Sequence, residues 1–185
     1  MNLSVPPPGV EAILLTLVLG AAVYDVRYRR IPNWLTAGGV LVGLGLNTFL
    51  YQGWPGLKFG LLGFGIGLGI YFVLYAIRAM GAGDVKLMAA VGSMVGWEDW
   101  FGIFILTALI GGVMGLILVL LRKRTKKTLF NVGYILSELK RGRAAYMSRE
   151  ELDVRSPKAM GLPHGAVIAV ATLFFLGLAA QHNLR

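Results

Sequence analysis

Six apolar runs, from Pro8 to Tyr24, Trp34 to Tyr51, Leu57 to Arg78, Val85 to Gly96, Trp100 to Leu121 and Leu162 to Ala180, alternate with short breaks rich in charge, Gly and Pro. Most approach the ~20 residues a helix needs to cross ~30 Å of hydrocarbon. The pattern predicts an all-α polytopic membrane bundle, about six transmembrane helices in a single domain over residues 1–185. The fourth run is short: at ~1.5 Å per residue it rises only ~18 Å. If Glu98 and Asp99 mark one membrane surface, Asp84 at the other end lies recessed in a pocket that protein or water must line. The first run is expected to be a permanent span, because Met1 to Glu11 holds no Lys or Arg while Arg27, Arg29 and Arg30 follow it, the reverse of a secretory signal.

Local signals refine the elements. The residue before Pro avoids the α region, so Ile31-Pro32-Asn33 ends whatever precedes it, with Asn33 a suitable N-cap for the second span. Gly63/Gly67 and Gly65/Gly69 in the third span, and Gly111, Gly112 and Gly115 in the fifth, predict close helix contacts. Trp34, Trp54, Trp97 and Trp100 fall near predicted ends, as interfacial anchors do. Residues 122–160 form the one sizeable polar segment, too short for a core of its own. Within it Leu129, Val132, Leu136 and Leu139, with Phe130 and Ile135, recur at helical spacing, predicting an amphipathic helix on the membrane surface. Ser148 and Glu151 fit a capping box for a further short helix.

Composition agrees with the pattern. Of 185 residues 56% are hydrophobic and 15% charged, with mean hydropathy +0.69, too apolar for a water-soluble domain. The absence of Cys excludes a disulfide, a thiolate zinc site and a cysteine nucleophile. The net charge of +9 reflects topology rather than nucleic acid: with the N-terminus outside, all Lys and Arg except Lys58 and Arg185 fall on the inner side. The expected arrangement is N-out and C-out, with the basic loop 122–160 cytoplasmic and its Arg122 to Lys127 cluster able to attract anionic lipid headgroups.

Two carboxylates adjoin the apolar runs at the cytoplasmic side, Asp25 in Tyr24-Asp25-Val26-Arg27 and Asp84 in Gly81-Ala82-Gly83-Asp84-Val85-Lys86. Taken singly, each is as readily a helix cap or an ion-pair partner as a functional group. Together they suit acid/base hydrolysis of a peptide bond, with one carboxyl protonated and the other ionised. Asp25 closing a helix is the candidate acid, and Asp84 opening one the candidate base. The glycines beside Asp84 are expected to supply unusual backbone angles for a turn that admits water and substrate. His164 reads as a polar residue at the start of the last span; with His182 the only other histidine, neither a metal nor a cofactor is expected.

Met80-Gly81-Ala82-Gly83-Asp84-Val85-Lys86-Leu87 resembles the GxGD motif of the type IV prepilin peptidases, and Asp25-Val26-Arg27-Tyr28-Arg29-Arg30-Ile31-Pro32-Asn33 resembles the segment around their first catalytic aspartate. Leu162-Pro163-His164-Gly165-Ala166-Val167-Ile168-Ala169 is similar to the start of the last helix in the small Tad/Flp-pilus branch, with His164 where a Tyr is usual. The resemblance implies an intramembrane aspartic endopeptidase of the bacterial inner membrane. It would remove the basic leader from a prepilin at the cytoplasmic face, cutting after a Gly. Asp25 and Asp84 would be its catalytic pair, and Gly81, Gly83, Lys86, Pro32 and Asn33 the supporting motif. Larger members carry a cytoplasmic domain with paired cysteines and also methylate the new N-terminus. This chain has no Cys and no space for such a domain between its first spans, so no methyltransferase activity is expected. Two other classes fit the residues, a small proton- or ion-coupled transporter and an inactive pilus-assembly protein.

Overall fold

The structure, a computed structural model, describes residues 6–123, 125–140 and 162–183. They form six helices: α1 (Pro8–Tyr28), α2 (Asn33–Leu50), α3 (Trp54–Ala76), α4 (Ala82–Leu121), α5 (Thr125–Lys140) and α6 (His164–Asn183). No strand occurs among the described residues. By length and composition α1, α3, α4 and α6 can cross a membrane. α2 is the shortest of the five apolar helices, with Asn33 and Asn47 among its 18 residues.

The predicted fourth and fifth spans are the two limbs of α4. Gly96 has φ 75° and ψ −177°, a backbone conformation that breaks the helix. Trp100 Nε1 donates to the carbonyl of Met88 at 3.0 Å. In a straight helix twelve residues span ~18 Å, so this bond requires the chain to fold back at Gly96. Carbonyls freed by the break need donors in an apolar setting. Asn47 supplies them, its Nδ2 donating to Ser93 O at 2.8 Å and Met94 O at 3.1 Å.

The hairpin corrects two expectations. Trp100 is fully buried, stacked on Phe104 with ring centroids 5.3 Å apart, and is a core residue rather than an interfacial anchor. Asp99, expected at an exposed polar break, is also buried.

Glycine sets the closest packing. Gly56, Gly60, Gly63, Gly67 and Tyr71 form the buried face of α3. A side chain at Gly63 would strike the backbone of Gly92, and one at Gly67 would stand 2.6 Å from Met88 O, so α3 and the first limb of α4 approach backbone to backbone. Gly65 and Gly69 face open space, as do Gly112 and Gly115, so the close contacts expected there do not form. Among the described residues Gly111 meets only the Val167 side chain. The register Gly63–Gly92 and Gly67–Met88 brings Tyr71 level with Asp84 at the end of the bundle where α1 stops and α4 begins.

α5 follows α4 closely and exposes Leu129, Phe130, Val132 and Ile135. Ser148 and Glu151, read as a capping box, lie outside the described residues.

Candidate active site

Four helix ends converge on the site. Asp25 is in the last turn of α1, which stops at Tyr28 because Arg29 takes a left-handed conformation (φ 54°) and its N–H bonds back to Asp25 O at 2.9 Å. Asp84 is in the first turn of α4, where its Oδ2 accepts the Gly81 N–H at 3.1 Å, an acidic cap on an otherwise unpaired amide. The short 29–32 segment leads through Pro32 into α2. The fourth end is the start of α6: the Gly165 N–H donates to Asp25 Oδ2 at 2.7 Å.

The ends of α1, α2 and α4 enclose a cleft of about 480 Å³ lined by Asp25, Asp84, the loop from Arg29 to Asn33, the Gly81-Ala82-Gly83 turn and Lys86. All seven residues singled out from the sequence, Asp25, Asp84, Gly81, Gly83, Lys86, Pro32 and Asn33, therefore share one cavity. Asp25 is buried and Asp84 half-buried. Arg29, Arg30 and Lys86 bring positive charge to the rim.

Two supporting residues act differently from the expectation. Pro32 occupies the N-cap position of α2 and Asn33 is the first helical residue. Instead of capping, the Asn33 side chain accepts Lys86 Nζ through Oδ1 at 2.8 Å. The glycines beside Asp84 have ordinary backbone angles: Gly81 is extended (φ −80°, ψ 153°), and Gly83 is not among the positive-φ residues. Their contribution is space. A side chain at Gly81 would stand 3.1 Å from Asp84 Oδ2, and one at Gly83 would stand 3.2 Å from Ile31 Cβ.

Sequence reasoning missed Tyr71 and Gly165. Tyr71 is fully buried level with Asp84, edge-on to Trp100 and 6.2 Å from the His164 ring. Its signal was its place as the next member of the Gly56-Gly60-Gly63-Gly67 series. His164 Nε2 is buried without a hydrogen-bond partner among the described residues. Among the described residues no three of His, Asp or Glu gather as a metal site requires.

The profile of the type IV leader peptidase family matches residues 12–116, more than half of the chain and both aspartates. The chain belongs to that family. Within it, the chain is similar to the prepilin leader peptidase/N-methyltransferase of Aeromonas hydrophila, 34% identical over 132 residues, covering 61% of this chain and 41% of the relative. The protein of the same name from Aeromonas salmonicida (strain A449) is 33% identical over equal shares. That of Myxococcus xanthus (strain DK1622) is 26% identical over 114 residues, 58% of this chain and 34% of the relative. The chain thus matches about two fifths or less of the length of these relatives. No solved structure matches. Family membership and the four long apolar helices together make this an integral membrane protein.

Proposed function

We propose that the chain is an intramembrane aspartic endopeptidase that removes the basic leader of a Tad/Flp-type prepilin at the cytoplasmic face of the bacterial inner membrane, cutting after a Gly. The observation that carries this reading is that Asp25 and Asp84, far apart in sequence and on different helices, line one cleft. A substrate strand crossing the cleft places its scissile carbonyl between the carboxyls. The ionised carboxylate takes a proton from water as the oxygen attacks the carbonyl carbon, while the protonated carboxyl donates to the carbonyl oxygen. Return of a proton to the amide nitrogen then releases the leader and the new N-terminus. We assign Asp25 as the starting acid and Asp84 as the base, consistent with their places at a helix C-terminus and N-terminus.

The names of the relatives support prepilin as the substrate class. Methyl transfer, the second activity in those names, is not expected of this chain, which has no Cys and only four residues between α1 and α2. α5 is assigned to the membrane surface: its exposed Leu129, Phe130, Val132 and Ile135 suit the acyl boundary, and the neighbouring Arg122, Lys123 and Lys126 suit anionic headgroups.

Co-expression of a candidate prepilin with wild type, Asp25→Asn or Asp84→Asn tests the reading. Leader loss with wild type and none with either variant is the expected result. Cleavage surviving both substitutions removes the dyad, and a pH-dependent ion flux without cleavage would replace the peptidase with a transporter.

A further inference from the structure

We propose that Gly165 is a positioning residue for Asp25: its N–H orients the carboxyl group, and its lack of a side chain keeps α6 close enough for that bond. The inference rests on the peptidase reading of the cleft. Gly165 lies outside the residues 12–116 that the family profile covers.

Gly165 is in the first turn of α6, where backbone amides have no partner within the helix, so its N–H is free to serve Asp25 Oδ2 at 2.7 Å. The bond fixes both the rotamer of the buried acid and the helix end that carries it, and it becomes charge-assisted as Asp25 gives up its proton. The contact leaves little space for an added atom. A methyl group at 165 would stand 3.1 Å from each of three atoms, Asp25 Cβ, Asp25 Oδ2 and Ile31 Cδ1. Ile31 also touches the other acid's helix, since a methyl group at Gly83 would stand 3.2 Å from its Cβ and 3.4 Å from its Cγ1. One side chain is therefore wedged between two glycines, one opening α4 beside Asp84 and one opening α6 against Asp25. The wedge sets how far apart the helix ends stand, and the Gly165 amide sets which way Asp25 points.

Two changes separate orientation from packing. Gly165→Ala adds the offending methyl. Replacing the Gly165 amide by an ester, through incorporation of glycolic acid at 165, removes the donor and adds no atom. Both are compared with wild type in proteoliposomes on a prepilin that wild type cleaves, with Asp25→Asn as the inactive reference. The expected result is a loss of kcat of roughly tenfold to a hundredfold for the ester, the range of one charge-assisted hydrogen bond, with KM within about threefold. Gly165→Ala is expected to lose at least as much, and Ile31→Val, which removes Cδ1, is expected not to restore it. An isotope-edited infrared carboxyl band of Asp25 is expected to shift in the ester, a readout that needs no substrate.

An ester with wild-type kcat and an unmoved Asp25 band overturns the proposal, as does full rescue of Gly165→Ala by Ile31→Val, which would make the site a packing contact alone. A wild type that cleaves no prepilin while the ester still shifts the Asp25 band refutes the peptidase reading and leaves the Gly165–Asp25 relation standing.

Discussion

Lys86 Nζ donates to Asn33 Oδ1 at 2.8 Å, joining the first turn of α4 to the first residue of α2 across the mouth of the cleft. Both groups are exposed, so the bond contributes little to folding, but it ties the segment before α2 to the helix that carries Asp84. Lys86→Met and Asn33→Ala are each expected to lower kcat/KM for precursor cleavage about threefold to tenfold with little change in thermal midpoint. The double variant should be no worse than the poorer single one, because the two changes remove the same bond. Losses that multiply would show that Lys86 and Asn33 act separately.

Gly63 and Gly65 make a matched pair for testing what holds the bundle together. Gly63 has no room for a side chain against the Gly92 backbone, whereas Gly65 faces open space two residues away. Gly63→Ala must push α3 off α4 and is expected to cost about 3 kcal/mol or more, at the upper end of overpacking penalties. Gly65→Ala replaces a poor helix former with the best one and is expected to be neutral or stabilising by up to about 1 kcal/mol. Denaturation in detergent micelles, followed by helical circular dichroism, ranks the two. Equal effects would contradict the backbone contact.

Much of this architecture is written in the hydropathy pattern because a membrane makes helix the solution for a long apolar run. The two aspartates were legible for the related reason that charge at a membrane boundary stands out. What the pattern omits is which face of each helix meets which neighbour. Gly63/Gly67 and Gly65/Gly69 are the same motif to a reader of sequence, yet one pair is pressed on α4 and the other is open. Trp100 looks like an interfacial anchor until the Gly96 reversal folds it over Met88. Gly165 stood in the Leu162 to Ala169 segment with no role of its own, because its part is played by a backbone N–H, which every residue but proline owns, and only the meeting of α1 with α6 singles it out.

His164 has a buried Nε2 with no partner among the described residues, while its ring rests 6.2 Å from that of Tyr71. An unsatisfied buried polar atom costs about 1–3 kcal/mol, and an aromatic ring of similar shape keeps the contact with Tyr71. His164→Phe is therefore expected to stabilise the protein by about 1 kcal/mol. Thermal unfolding of purified protein in detergent checks the sign. A drop in midpoint would reveal that Nε2 has a partner beyond the described residues, such as a bound water.

Gly96 combines two demands that separate variants can resolve. Its φ of 75° belongs to the region that favours glycine, and a side chain there would also strike the Phe59 ring. Gly96→Ala should thus suffer backbone strain of about 1–3 kcal/mol together with a steric cost. Phe59→Ala in the same chain relieves only the steric part. The double variant is therefore expected to lose less than the two single losses combined, yet to stay below Phe59→Ala alone by the strain that remains. The same strain bears on the site at the far end, because Gly96 fixes how the limbs of α4 close and so where Met88 and Trp100 hold the first limb against α3. Gly96→Ala should then lower cleavage activity although it lies on the opposite side of the bundle from Asp84, and Phe59→Ala should recover part of it. A Gly96→Ala protein of unchanged stability and full activity would mean that the reversal does not position the first limb.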